Sequence, residues 1–311
     1  MMKMNKIGFV GLCGSSVFMG VDHFHLPGET LHAKTMFTEP GGKGYNQAVA
    51  AQRLGAGSVF IGCIGNDESG RFCEDFLVKE RIKPLMQITD RAETACAFIL
   101  TDERGENQVT VCRGASDCLS VDFVQECEKE IADLNMLILN LECPMDATLA
   151  AADIAFNNNI PVILNPAPAK KLDVEFLKKC YLITPNRAEA AQLFGLSEDI
   201  SIPELAKAIL EAGISRAVVT LGGDGALLID GGEAWKYSAI PVKAVDTTGA
   251  GDTFNAALGR AILKGDALTK AVEYAMNAAA ISVTYSHVMQ GLPTESELYS
   301  KYVEIIPEKI I

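Results

Sequence analysis

From residue 121 onward the chain changes its apolar period in strict succession, and no other feature constrains its fold as much. A helical spacing over 121–132 gives way to a short apolar run at 136–141. A helix opens at Asp146, and a second run at 162–164 leads into Asn165-Pro166-Ala167-Pro168. A third run, 181–184, meets a helix over 186–194 that stops at Gly195. Ser201-x-x-Glu204 then writes a capping box for the next helix, and a strand at 217–221 follows. Short apolar runs between helices read as strands buried on both faces, and helical crossovers make them parallel. The pattern predicts a doubly wound, mostly parallel α/β sheet flanked by helices.

The first part of the chain predicts one more strand and an appendage. Lys3 and Lys6 precede an apolar stretch at 7–12 that superficially resembles a secretory signal, but glycines break it and no clear cleavage site follows. A first buried strand over 6–12 explains it better. Residues 18–38 are extended and irregular, broken by Pro27-Gly28-Glu29. A compact helix at 48–54 ends at Gly55; a strand at 58–61 and a helix over 68–81 come next. The runs 95–100 and 108–111 flank Asp102-Glu103-Arg104-Gly105-Glu106-Asn107, a hairpin signal. Extended segments that do not alternate with helices join a parallel sheet poorly. They predict a small β-sheet, residues 14–40 and 95–113, inserted in a single domain over 1–311.

Charge and cysteine usage exclude several function classes. A net charge of −13 repels nucleic acid and anionic membrane surfaces at long range, so neither is expected as a partner. The chain has no apolar run of the ~18 residues that a membrane span needs. Nine cysteines without a Cys-x-x-Cys pair predict reduced thiols and a cytoplasmic location. His23-x-His25 lacks a third ligand for a metal.

The chemistry is expected around Asp246-Thr247-Thr248-Gly249-Ala250-Gly251-Asp252, which runs straight into an apolar helix expected over 254–263. Glycines there leave backbone N–H groups open at a helix N-terminus, where anions bind. Asp252 beside an anion site has two readings, a helix N-cap or a base that takes a proton from a hydroxyl attacking a phosphate. Pro40-Gly41-Gly42-Lys43-Gly44-Tyr45-Asn46-Gln47 is a second glycine string, suited to close approach by a ligand or to a hinge. Its spacing is not that of a Walker P-loop, and Gly11-x-x-Gly14 is not a dinucleotide fingerprint. Glu142 ends a strand at the edge where ligands gather in α/β folds. Asn186 and Glu189 stand three apart at a helix start, which capping alone could explain. Thr220, Gly222 and Gly225 form a turn able to wrap a nucleotide, although a plain β-turn fits equally.

These strings together resemble the ribokinase-like (PfkB-type) carbohydrate kinases in order, from the first strand to about Pro293. The resemblance implies an ATP-dependent sugar kinase with a β-sheet lid hinged at Gly41-Gly42, and a homodimer formed through that lid. It further implies Asp252 as base, with Gly249, Ala250 and Gly251 as the anion hole. Gly41, Gly42, Lys43, Asn46, Glu142 and Asp252 would contact the sugar. Asn186, Thr220, Gly222, Gly225 and Asn277, the last in a helix over 267–283, would hold ATP. Mg²⁺ would be ordered through water by Asn186 and Glu189, and K⁺ would lie near Asp246 and Thr248. A nucleoside kinase of the same fold and a non-catalytic sugar- or nucleotide-binding pseudokinase are the alternatives. Two departures stand out. The Asn-x-Asp with which ribose-phosphorylating members grip their sugar is here Gly14-Ser15-Ser16, and near the cation loop a Gly-Ala pair is His287-Val288 while a following Ser is Gly291.

Overall fold

The computed structural model describes residues 5–311, so Lys3 lies outside the described residues. The chain opens with β1 (Lys6–Val10), β2 (Gly14–Gly20), β3 (Thr35–Gly41), α1 (Lys43–Arg53) and β4 (Gly57–Gly65). Next come α2 (Glu68–Lys79), β5 (Lys83–Thr89) and the pair β6 (Ala95–Thr101) and β7 (Asn107–Cys112). The alternating stretch holds α3 (Val121–Glu126), α4 (Glu128–Ala132), β8 (Met136–Leu139), α5 (Met145–Asn157), β9 (Val162–Leu164), α6 (Val174–Lys179), β10 (Leu182–Ile183), α7 (Arg187–Phe194), α8 (Ile202–Glu211) and β11 (Arg216–Thr220). Beyond it lie β12 (Ala226–Asp230), β13 (Glu233–Tyr237), α9 (Ala250–Leu263), α10 (Leu268–Ser282), α11 (Val288–Gly291), α12 (Glu295–Ser300) and β14 (Glu308–Lys309).

Among the described residues, ten strands form one sheet in the order β14-β13-β12-β11-β10-β9-β8-β1-β4-β5. The pairs from β11 through β5 are parallel, as the alternation predicts, and β12, β13 and β14 add an antiparallel edge. Side chains alternate between two apolar layers with the period of two that a pleated strand imposes. On β8, Met136 and Ile138 join Tyr45, Phe60 and Phe254 on one side, while Leu137 and Leu139 join Ile131 and Ala151 on the other. Each buried Leu or Ile contributes on the order of 1.5–3 kcal/mol, so the two layers fix the sheet that carries the site.

The second sheet is small and separate, in the order β3-β2-β6-β7, and matches the expected appendage. β2 runs antiparallel to β3 and parallel to β6, with Ser16 opposite Glu39 and Phe18 opposite Phe37.

Several boundaries differ from expectation. The helix expected over 121–132 is two, because Cys127 (φ −82, ψ 5) ends α3 and caps α4. α1 begins at Lys43 rather than 48, and α9 at Ala250 rather than 254, so Asp252 sits inside the first helical turn and not ahead of it.

Candidate active site

Parallel strands place their C-terminal ends on one edge, and there the loops after β1, β8, β9 and β10 meet the N-terminal turns of α1 and α9. Gly42 allows α1 to start at that edge: its φ is 127, and a Cβ would lie 2.1 Å from the Leu12 carbonyl oxygen. The turn before α9 depends on Gly249 in the same way. Its φ is 78, and a Cβ would meet Val288 Cγ1 at 2.6 Å.

Asp252 is buried, and both carboxylate oxygens are held by α1. Asn46 Nδ2 donates to Oδ2 at 2.9 Å and Gln47 Nε2 donates to Oδ1 at 3.2 Å. Burial pushes the Asp252 carboxyl up from the usual range; the Lys43 ammonium and the two amides pull it back. Lys43 is raised, chiefly by the charge of Asp252, with Glu142 and Glu189 adding to it. The Lys43 N–H donates to Glu142 Oε2 at 2.8 Å. Burial drives Glu142 up to about 7, Lys43 opposing and Asp252 reinforcing the rise. One lysine thus faces three carboxylates.

Behind Asp252 the turn is open. The N–H groups of Gly249, Gly251 and Asp252 make no hydrogen bond among the described residues, and nothing lies within 4 Å of a Cβ built on Gly251. Ala250 is the first helical residue, and its N–H donates to the Thr247 carbonyl at 3.3 Å, so unlike its neighbours it is not an open donor. A cavity of about 620 Å³ begins there, lined by Gly251, Ala250, Thr220, Gly222, Gly225 and Met276 among others. Thr220 also makes a bridge with Asn186.

The remaining expected residues are placed unevenly. Asn186 and Glu189 form a reciprocal capping box on α7, each accepting the other's N–H at 2.8 Å. That leaves Glu189 Oε1 without a hydrogen-bond partner among the described residues. An oxygen-rich pair near enough to Lys43 and Asp252 to feel their charges fits a hydrated Mg²⁺. Asp246 Oδ1 accepts the Thr248 N–H at 2.9 Å, one oxygen of that pair being spent on the turn itself. Asn277 does not line the cavity. Its Nδ2 donates to the Glu273 and Val303 carbonyls and its Oδ1 accepts the Val303 N–H, so it ties α10 to the C-terminal segment while Met276, Ala279 and Ala280 face the space. Gly41 and Ser16 are neighbours, a Cβ on the glycine coming within 2.8 Å of Ser16 Oγ.

Sequence reasoning passed over two groups. Gln47 is a fully buried amide just ahead of the apolar run Ala48-Val49-Ala50-Ala51, a hint of burial that does not name its partners. Glu39 of β3 is 3% exposed and its two oxygens accept the Val288 and Met289 N–H groups at 2.8 and 3.0 Å, while His287 stacks on Phe37 at 4.4 Å. The small sheet is thereby joined to the segment that packs on Gly249.

A buried acid held beside a lysine, with open helix-terminal amides and a glycine-lined cavity behind it, belongs to enzymes that move a phosphoryl group onto an alcohol. The chain belongs to the pfkB family of carbohydrate kinases, whose sequence model, described as pfkB family carbohydrate kinase, matches residues 4–295. It is 36% identical to the ribokinase of Haemophilus influenzae over 291 residues, 93% of this chain and 95% of that protein. The ribokinase of Thermotoga maritima has a TM-score of 0.86 at 33% identity, covering 96% of this chain and 99% of that one. The ribokinase of Arabidopsis thaliana, solved with ribose and ATP, shares the fold with a TM-score of 0.88 at 24% identity over 97% of this chain and 99% of that one.

Proposed function

We propose that this carbohydrate kinase transfers the γ-phosphoryl group of ATP to a primary hydroxyl of a small sugar, ribose or a close relative. The observation that carries this reading is Asp252, held by neutral amides on one side and flanked by open N–H groups on the other. Asp252 takes the hydroxyl proton as the hydroxyl attacks. Lys43 keeps that carboxylate charged despite its burial, and with Asn46, Glu142, Gly41 and Gly42 it holds the sugar hydroxyls. The N–H groups of Gly249, Gly251 and Asp252, and that of Ala250 once released from the Thr247 carbonyl, receive charge developing on the transferred group. ATP occupies the cavity beside Thr220, Gly222, Gly225 and Asn186. Asn186 and Glu189 would hold Mg²⁺ through water, where it would neutralise phosphate charge; K⁺ would lie near Asp246 and Thr248.

The small sheet, residues 14–40 and 95–113, acts as a lid that excludes water. Met36, 74% exposed, and Phe98, 47% exposed, share one of its faces and support a cytoplasmic homodimer formed through it. A monomer in sedimentation at micromolar concentration would remove the dimer, and hydrogen exchange in the sheet unchanged by sugar plus nucleotide would remove the lid. The central test is a coupled ATPase assay across a panel of pentoses, hexoses and nucleosides. Turnover with a pentose is expected. Turnover only with nucleosides would assign a nucleoside kinase, and none with any acceptor would make the chain a binding protein.

A further inference from the structure

Asp252 and the turn before α9 are joined by a second route, through the protein interior. Gln47 Nε2, which donates to Asp252 Oδ1, also donates to Asn165 Oδ1 at 3.2 Å. Asn165 follows β9, and its Nδ2 donates to the Thr184 carbonyl at 3.0 Å. Thr184 follows β10, and its hydroxyl donates to Asn255 Oδ1 on α9. Asn255 Nδ2 then donates to the Gly251 carbonyl at 2.8 Å. All four side chains are buried. A carboxylate and a carbonyl can only accept, so the two ends of this chain fix the orientation of every amide between them.

Gly251 C=O and Asp252 N–H belong to one peptide unit, and in a trans peptide they point in opposite directions. Holding the carbonyl therefore aims the N–H at the open side of the turn. We propose that Gln47, Asn165 and Asn255 are positioning residues, forming a buried ring that sets the Asp252 carboxylate and the Asp252 N–H in register with one another. The catalytic importance of this register rests on the reading of Asp252 as the base; the ring itself does not.

The ring makes a prediction about the acid that a structural role does not. Gln47 donates to the charged carboxylate and favours it, so removing that donor raises the pH at which Asp252 gains its proton. The charged groups facing Asp252 are Lys43 from α1, Glu142 beyond β8 and Glu189 from α7, and none is touched by a change at Gln47.

The experiment follows the Asp252 side-chain carboxyl by ¹³C resonance in the full chain, assigned by its loss in Asp252→Asn. The expected result is an upward move of its midpoint by about one pH unit in Gln47→Met, the scale of one hydrogen bond to a charged group. Gln47→Glu, which keeps the shape and adds a like charge, should move it further, and serves if the methionine variant does not fold. Asn255→Ala should leave the midpoint in place yet lower kcat at least tenfold with D-ribose and ATP, with KM for ATP within about threefold. A midpoint unmoved in the Gln47 variants, or an Asn255→Ala enzyme changed only in Tm, overturns the ring. Full turnover in Asp252→Asn would instead remove the base and leave the carboxyl measurement standing.

Discussion

The two sides of Asp252 are built from different materials. On the α1 side the groups are mostly buried side chains that already have partners: Asn46 and Gln47 on the Asp252 carboxylate, and the Glu142 carboxylate on the Lys43 backbone N–H. On the α9 side they are backbone N–H groups and glycines, facing a loop whose residues 241–245 are all exposed. A sugar is recognised by the direction of each hydroxyl, which needs donors and acceptors set in advance. A polyphosphate is recognised by charge and by a run of N–H groups, which a glycine turn supplies whatever the side chains nearby. One side should therefore resist substitution through chemistry, the other through bulk.

The largest effect falls where the two sides meet. Asp252→Asn keeps the shape of the carboxylate but accepts no proton, and should lower kcat by about 10²–10⁴-fold while leaving the fold and ATP binding intact. Steady-state kinetics with a binding titration checks this, and near-normal turnover would dissolve the comparison by removing its shared atom.

Gly251→Ala separates bulk from stability. No atom lies within 4 Å of the added methyl, and the position is helical, so the variant should be as stable as the wild type or more so, by about 0.5–1 kcal/mol. The methyl would nevertheless occupy the open face of the turn. Turnover should fall by about a hundredfold, the lower end for losing one preorganised donor. A more stable protein with unchanged kcat would show that no phosphate approaches this turn.

How much of this was legible in the sequence follows from distance along the chain. The parallel strands were readable because each is a short apolar run beside a helix, and Lys43, Asn46, Gly249 and Asp252 lie in two compact strings. β5 was not, since its Lys83-Pro84 start and half-exposed pattern mark an edge strand with little apolar signal. The antiparallel β12 and β13 and the two-residue β14 carried no alternation with helices at all. The bonds of Gln47 span 118 residues to Asn165 and 205 to Asp252, and nothing local announces them. Asn277 was expected at the nucleotide because of its place in the order of motifs; which face of α10 it takes is decided by Val303, 26 residues on.

The α1 side can be sharpened at Ser16. A carboxylate accepts from two vicinal hydroxyls where a serine offers one short group, so Ser16→Asp should raise kcat/KM for ribose by roughly tenfold. Gly14 should stay as it is, since a Cβ there would sit 2.3 Å from the Ala95 carbonyl oxygen of β6. Ser16 stands directly opposite Glu39, and like charges across a pair are destabilising, so activity should be taken per folded molecule. A wild-type enzyme already efficient on ribose, or a folded variant with no gain, would show that the neutral residue is no handicap.

The smallest effect is in stability and runs opposite to function. Burial raises Glu142 to about 7 from its ordinary 4.5, so between those two values the folded state binds more protons than the unfolded state. Under that condition stability falls as pH rises. Asp252, Glu189 and Glu39 are raised as well, chiefly by burial, and act with the same sign. Glu142→Gln keeps an oxygen for the Lys43 N–H but cannot ionise. It should match the wild type near pH 5 and be more stable near pH 8, by about 1–2 kcal/mol after discounting the shift for partial exposure. At the higher pH it should lose sugar affinity, because the charged acceptor for hydroxyls is gone. Denaturant unfolding of the ligand-free protein at the two pH values measures the first, and KM for the sugar the second. Equal stability of variant and wild type at pH 8 would mean that Lys43 already compensates the buried charge in full, and that the α1 side holds its acid without strain before any sugar arrives.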